Sequence, residues 1–204
     1  MAQAPADLPS ILDAAIGVFF HFGFKKTSMD DVAAAAGLSR QGLYLKFRTK
    51  EQLFEAALRH HIDRLLDGCR GICADDVLDV EERLMRIFAM LHGDVFEAGA
   101  RTNAAELLEL ARSRHGALVA DFEHDLVRLV ATLLTRTGIA RRWAPLHLSA
   151  AQLAEHLMMT AAGIKASTTS GDEHKARMAA AVTLVARGEP ARVIRRNTTT
   201  RPTR

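Results

Sequence analysis

Apolar residues recur along this chain at spacings of three and four from Leu12 to Val185, and no stretch alternates with period two for long. A half-buried strand needs the alternation, whereas a helix lying on a core needs the three-to-four spacing. The pattern predicts an all-α chain. Hydrophobic residues make up 49% of the 204 residues and charged residues 25%, which is enough apolar surface for a sizeable core and too much for a disordered polymer. No apolar run approaches the roughly 18 residues of a membrane span. The first ten residues hold neither a basic start nor an apolar stretch, so no secretory leader is expected. The two cysteines, Cys69 and Cys73, fit a reducing compartment better than a disulfide scaffold.

Capping residues punctuate the helical pattern. Pro9 and Gly23 bracket a first helix that buries Leu12, Ala15, Ile16 and Phe19. Ser28 with Asp31 three residues later is a capping box, opening a short second helix that stops at Gly37. Ser39 caps a third helix of about two turns, ending near Phe47. Lys50 opens a fourth, with Leu53, Phe54, Ala57, Leu58, His61, Ile62 and Leu65 on one stripe. Beyond Gly71 the spacing predicts a helix from Leu84 to Val95 and a short one from Asn103, capped with Glu106, to Ala111. A long helix carries Leu118 to Leu133 and ends near Gly138. Ser149 and Gln152 cap the next, and the last ends at Gly188. Residues 189–204 lack apolar periodicity and read as a disordered basic tail.

Net charge is only +3, but its layout is uneven. Residues 25–50 carry six cations against Asp30 and Asp31, a net +4, and residues 188–204 carry five arginines against Glu189, again +4. Such concentration suits an anionic polymer as partner. The first basic segment holds two short helices separated by Ala36-Gly37-Leu38-Ser39, a helix-turn-helix pattern over residues 28–47. In that motif one helix crosses the phosphate backbone and the next enters the major groove, about 12 Å wide. The second helix begins Ser39-Arg40-Gln41-Gly42. Arginine pairs bidentately with guanine, and glutamine with adenine. Gly42 costs about 1 kcal/mol against alanine in a helix interior, and its missing side chain permits close backbone approach to DNA. Lys46, Arg48 and Lys50 flank this helix, and each phosphate neutralised contributes a salt slope of about −0.9.

The string Phe22-Gly23-Phe24, Thr27-Ser28, Val32-Ala33, Ala36-Gly37-Leu38-Ser39, Leu43-Tyr44, Phe47, Lys50-Glu51 and Leu53 resembles the DNA-binding domain of the TetR family of bacterial transcriptional regulators. The likeness covers the first third of the chain, and the rest matches in architecture only. The resemblance implies a three-helix DNA-binding domain over residues 7–66 and a helical ligand-binding and dimerisation domain over residues 67–188. It places Thr27 and Ser28 on phosphate at the start of the second helix. Arg40, Gln41 and Gly42 fall at base-reading positions, with Ser39 at the head of that helix. Tyr44, Lys46 and Lys50 fall on the DNA backbone, and Phe47 in the core. The family often has Thr at position 42 and His or Arg at position 46; Lys46 keeps the cationic role.

One such helix per subunit reads a palindrome only as a dimer, with the two helices about 34 Å apart. The last two helices, carrying Leu153, Leu157, Thr160, Ala161, Ile164, Met178, Val182 and Val185, are expected to form a four-helix interface between two copies. Packing within one chain is the alternative. The family encloses a ligand pocket in its middle helices, which implies Phe88, Leu91, His92, Val95, Leu110, Phe122 and Leu126 as lining for an apolar small molecule, although the same stripe reads equally as solid core. The resulting expectation is a cytoplasmic, nucleoid-associated homodimeric repressor, released by a small molecule from a palindromic double-stranded operator. A DNA-binding regulator or nucleoid-associated factor without a ligand is the alternative, and a helical enzyme a distant third.

Cys69 and Cys73 share a helix face, but no neighbouring histidine completes a metal site, so they read as small buried residues. No metal or cofactor is expected. No nucleophile elbow, phosphate loop, zinc protease motif or dinucleotide fingerprint occurs. The nearness of Ser113, His115 and Asp121 says little, since triads are built in space. The chain is therefore not expected to be an enzyme. Removing residues 189–204 should flatten the salt dependence of binding to duplex DNA; an unchanged slope would show that the tail meets no phosphate.

Overall fold

A computed structural model of the chain describes residues 7–92, 103–168 and 170–188. Among them there is helix and no strand. α1 (Leu8–Phe22) starts on Asp7, whose carboxylate accepts from the Ser10 N–H at 3.0 Å. α2 (Met29–Ala35) carries the Ser28–Asp31 capping box that the spacing predicts. Its end is fixed by a Schellman arrangement. The Gly37 N–H donates to Ala34 O and the Leu38 N–H to Ala33 O, while Gly37 takes φ 65, a left-handed value that a Cβ would oppose. α3 (Arg40–Lys46) follows, with Ser39 Oγ accepting from the Gly42 N–H at 3.0 Å. Then come α4 (Lys50–Ala74), α5 (Val80–His92), α6 (Ala104–Arg136) and α7 (Ile139–Trp143) with a 3-10 turn at Ala144–Leu146. α8 (Ala150–Ser167) and α9 (Gly171–Arg187) complete the described chain.

The buried residues form two cores. One gathers Ile11, Leu12, Phe19, Phe24, Val32, Leu43, Leu53 and Phe54 from α1 to α4. Its centre is three aromatic rings: Phe54 meets Phe19 and Phe24 edge-on at 5.3 and 5.2 Å between centroids. The other core gathers the later half of α4 with α5 to α9. α4 belongs to both. Leu53, Phe54 and Ala57 serve the first core, Ile62, Leu66, Cys69 and Cys73 the second, and Leu58 touches each. The chain runs as unbroken helix through residues 66 and 67.

Four expectations change. Asn103 and Glu106 form no capping box. The Asn103 side chain instead donates to Phe20 O and His21 O at the end of α1, satisfying carbonyls that α1 leaves free. The two helices expected on either side of residue 112 follow each other without a loop, meeting at a kink at His115 (φ −132, ψ 39) inside α6. The loop before Ser149 contains α7. Arg142 and Trp143 there donate to the Ala186 and Val185 carbonyls, closing the last turn of α9.

The fourth change concerns the expected dimer interface. Leu153, Leu157, Ala161, Met178, Val182 and Val185 are buried inside this one chain, and Ile164 and Thr160 are half-buried. The apolar stripe common to α8 and α9 faces their own core, because α8 packs on α6 and α9 on α5. The outward apolar side chains are Met159, 74% exposed, and Leu184, 63% exposed. Leu157→Ala should lower unfolding free energy by about 2–5 kcal/mol, as a buried leucine does, measured by urea denaturation. A loss well below that range would return Leu157 to a surface role.

Candidate nucleic-acid interface

α3 is anchored by one fully buried residue, Leu43. Successive helical residues advance about 100°, so Gln41 and Leu45 stand on the side opposite Leu43. Arg40 and Tyr44 lie along one flank and Gly42 and Lys46 along the other. Gln41, Arg40 and Lys46 are exposed, Tyr44 is 38% exposed, and Gly42 is half-buried. The Arg40 guanidinium lies 5.5 Å from the Tyr44 ring centroid, and its Nη1 donates to Asp30 Oδ2 of α2 at 2.9 Å. Both partners remain largely in solvent, so the pair is weak and replaceable by another anion. Lys25, Lys26 and Arg48 are exposed on the same domain.

The other expected DNA-contacting residues are arranged differently from one another. Ser28 is exposed, but its hydroxyl is engaged: it donates to the Asp31 carboxylate and accepts from the Asp31 N–H, and the hydroxyl with the Ser28 N–H holds that carboxyl below the usual carboxylate range. Thr27 is only 2% exposed and its hydroxyl donates to Gly23 O at 2.8 Å. Its side chain is thereby committed to the turn after α1, so phosphate contact by that hydroxyl is not what this arrangement offers. Lys50 is half-buried. Its ammonium donates to Phe24 O and Thr27 O, both at 2.8 Å, and sits 4.5 Å from the Phe24 ring centroid. It therefore acts here as a clamp between α4 and the α1–α2 turn rather than as a free cation. Ser39 is exposed at the head of α3, its oxygen occupied by the helix cap. Phe47 is half-buried against the first core.

One exposed side chain escaped the motif reading. Leu45 is 82% exposed on the ridge with Gln41. Its position two residues from buried Leu43 and four from Gln41 was the signal available.

The expected ligand pocket does not assemble as one site. Phe88 and Leu126 are buried in the second core, with Leu91 and Phe122 packed against it. Leu110 packs instead on the first core, because α6 before its bend lies over that domain. Val95 lies outside the described residues. His92, at the end of α5, lies 5.6 Å from His174 of α9, ring to ring. Its buried Nδ1 has no hydrogen-bond partner among the described residues. Burial first, then the charges of Lys165 and His174, push its imidazole down to about 4. Lys165, on α8, is itself lowered by burial. Cys69 and Cys73 are free and buried, and burial first, then Cys73, raises the Cys69 thiol to about 11. Among the described residues no cluster of His, Cys, Asp or Glu is arranged to hold a metal, and no helix is long and apolar enough to cross a membrane.

Residues 11–57 match the family model described as bacterial regulatory proteins, tetR family. The transcriptional activator FasR of Mycolicibacterium smegmatis is 40% identical over 60 residues, covering 29% of this chain and 27% of that protein. The transcriptional repressor ComR of Escherichia coli is 40% identical over 85 residues, covering 42% of this chain and 40% of that protein. The chain thus spans well under half the length of these relatives. In three dimensions the similarity is longer. A transcriptional regulator from Rhodococcus superposes with TM-score 0.67 over 90% of this chain and 98% of its own, at 18% identity. The fatty acid degradation regulator FadR from Bacillus halodurans superposes with TM-score 0.61 over 91% and 97%, at 18% identity. At such identity these likenesses speak to the fold.

Replacing Asp30 with asparagine should free Arg40 and strengthen binding to any duplex by about fivefold at most for each subunit on the DNA, since an exposed pair is worth about 0.2–1 kcal/mol. Fluorescence anisotropy on a scrambled duplex measures it, and unchanged affinity would show that Asp30 and DNA do not compete.

Proposed function

Because this chain belongs to the TetR family of bacterial regulatory proteins, we propose that it is a cytoplasmic, homodimeric, sequence-specific DNA-binding repressor, released from a palindromic operator by a small molecule. Residues 7–66 read the DNA, residues 67–188 bind the ligand and the second copy, and residues 189–204 add a basic tail. The observation that carries the reading is the outer surface of α3, which holds Arg40, Gln41, Tyr44 and Lys46 away from a core pinned by Leu43. Major-groove readout needs such a slim, polar, projecting helix. Curated relatives include both an activator and repressors; repression is the sign proposed here.

The second copy docks on the outward faces of α8 and α9. Met159 stands there with exposed Ala162, Gly163 and Ala166, and Leu184 with exposed Ala176 and Ala180. Small residues around two large apolar side chains let helices approach closely, and an exposed apolar face invites a partner. The ligand lies at the α5, α8 and α9 junction, with a hydrogen-bonding group set against the buried Nδ1 of His92. A DNA-binding factor without a ligand is the second reading, favoured by the burial of Phe88 and Leu126 in a packed core.

Selection of bound fragments from random duplexes tests the proposal directly. An inverted repeat is expected, and recovery of no common sequence would overturn it. Release by some added small molecule separates the two readings. A Met159→Glu, Leu184→Glu double variant should be monomeric in sedimentation and bind one half-site weakly; an intact dimer would move the interface elsewhere.

A further inference from the structure

We propose that Leu45 is a base-reading residue, taking the C5-methyl group of one thymine in each half of the operator; this rests on the DNA-binding reading above. Leu45 is 82% exposed, the most exposed large apolar side chain of α1 to α4. An isolated leucine on a protein surface is unremarkable by itself. This one stands on the crest of α3, one turn from Gln41 and directly opposite the buried Leu43. The exposed residues around it in sequence are cationic or polar: Arg40, Gln41, Tyr44, Lys46 and Arg48. A second protein surface meeting this ridge would have to desolvate those cations, whereas duplex DNA supplies phosphates for them. That charge setting selects DNA as what covers Leu45.

Within a major groove, the one apolar group that a base edge displays is the thymine methyl. Gln41 pairs through its amide with adenine N6 and N7. Leu45, one turn further on, reaches a base step along the groove, where a branched apolar chain has a methyl to meet. Gly42, beside this ridge, carries no side chain to hold α3 away from the groove floor. A Cβ there would press on Ser39 Oγ at 3.2 Å, the one described atom within 4 Å of it, so the N-cap that starts α3 also favours glycine at this position. The pair Gln41 and Leu45 thus specifies adenine and thymine at neighbouring positions, and Arg40 adds guanine on the flank.

The test uses the full chain and the operator recovered by selection. Each symmetry-related thymine pair is replaced by deoxyuridine, which removes the methyl and leaves pairing intact. Affinity is read by anisotropy at fixed salt. At one thymine pair the wild-type protein should lose about fourfold per half-site, near fifteenfold for both, the worth of one buried methyl group. Leu45→Ala should bind the thymine operator correspondingly weakly and no longer distinguish thymine from uracil there. Leu45→Met, which keeps an apolar chain, should retain the discrimination. Uniform indifference to uracil in a bound operator overturns the Leu45 assignment alone. Failure to bind any duplex overturns the DNA-binding reading and this one with it. A change of oligomeric state on Leu45→Ala without DNA would assign the side chain to a protein contact instead.

Discussion

The molecule is organised around one continuous helix buried at its two ends in different cores. α4 holds 25 residues, about 37 Å at 1.5 Å per residue. Its first turns supply Leu53, Phe54 and Ala57 to the aromatic core of the helix-turn-helix unit. Its later turns supply Ile62, Leu66, Cys69 and Cys73 to the second core. A helix without an internal break transmits rotation because its hydrogen-bond ladder resists bending. The direction in which α3 faces is therefore tied to the packing of a core that α3 never touches. Lys50 secures the α4 end of that link. Its ammonium holds two carbonyls of the preceding turn and rests on Phe24.

A second attachment runs beside the first. Asn103, heading α6, closes the end of α1 through the Phe20 and His21 carbonyls, and Leu107 enters the first core. Gly23 takes φ 82, a left-handed value that a side chain would oppose, and a Cβ there would press on Glu106 Oε2 at 3.1 Å and Asn103 Cγ at 3.2 Å. Arg114, also on α6, stacks 5.4 Å from the Phe24 ring centroid, on the same ring that Lys50 covers. Two helices thus grip one small domain from the far core. A ligand that favours one packing of that core over another would move both grips together, and could shift the domain only by its difference in affinity for the two packings.

The second core explains why its own polar groups are quiet. Cys69 and Cys73 are held as neutral thiols by burial, which removes the thiolate that redox or metal chemistry needs. Arg83 is buried but fully employed. It donates to Leu78 O and Cys73 O and pairs with Asp76, tying the end of α4 to the start of α5. His92 differs, because its Nδ1 is buried without a hydrogen bond among the described residues. Such an atom carries a desolvation cost that a bound group would relieve.

Helix content, the caps at Ser28, Ser39 and Ser149, the Gly37 turn and the polar residues Arg40, Gln41 and Lys46 of α3 were all legible in the chain, because they depend on residues within one or two turns of each other. Periodicity also identified the apolar stripes of α8 and α9, yet could not say what covers them. A stripe facing its own core and one facing a second copy have the same spacing, and only tertiary packing turned Leu157 inward and left Met159 outside. The same limit applied to Asn103, whose partners lie more than 80 residues away in sequence. It applied to Lys50, whose ammonium was taken by backbone carbonyls 26 and 23 residues away in sequence. Local hydrogen bonding and amphipathicity are written in neighbouring residues; which surface is left over is decided only when distant segments compete to cover it.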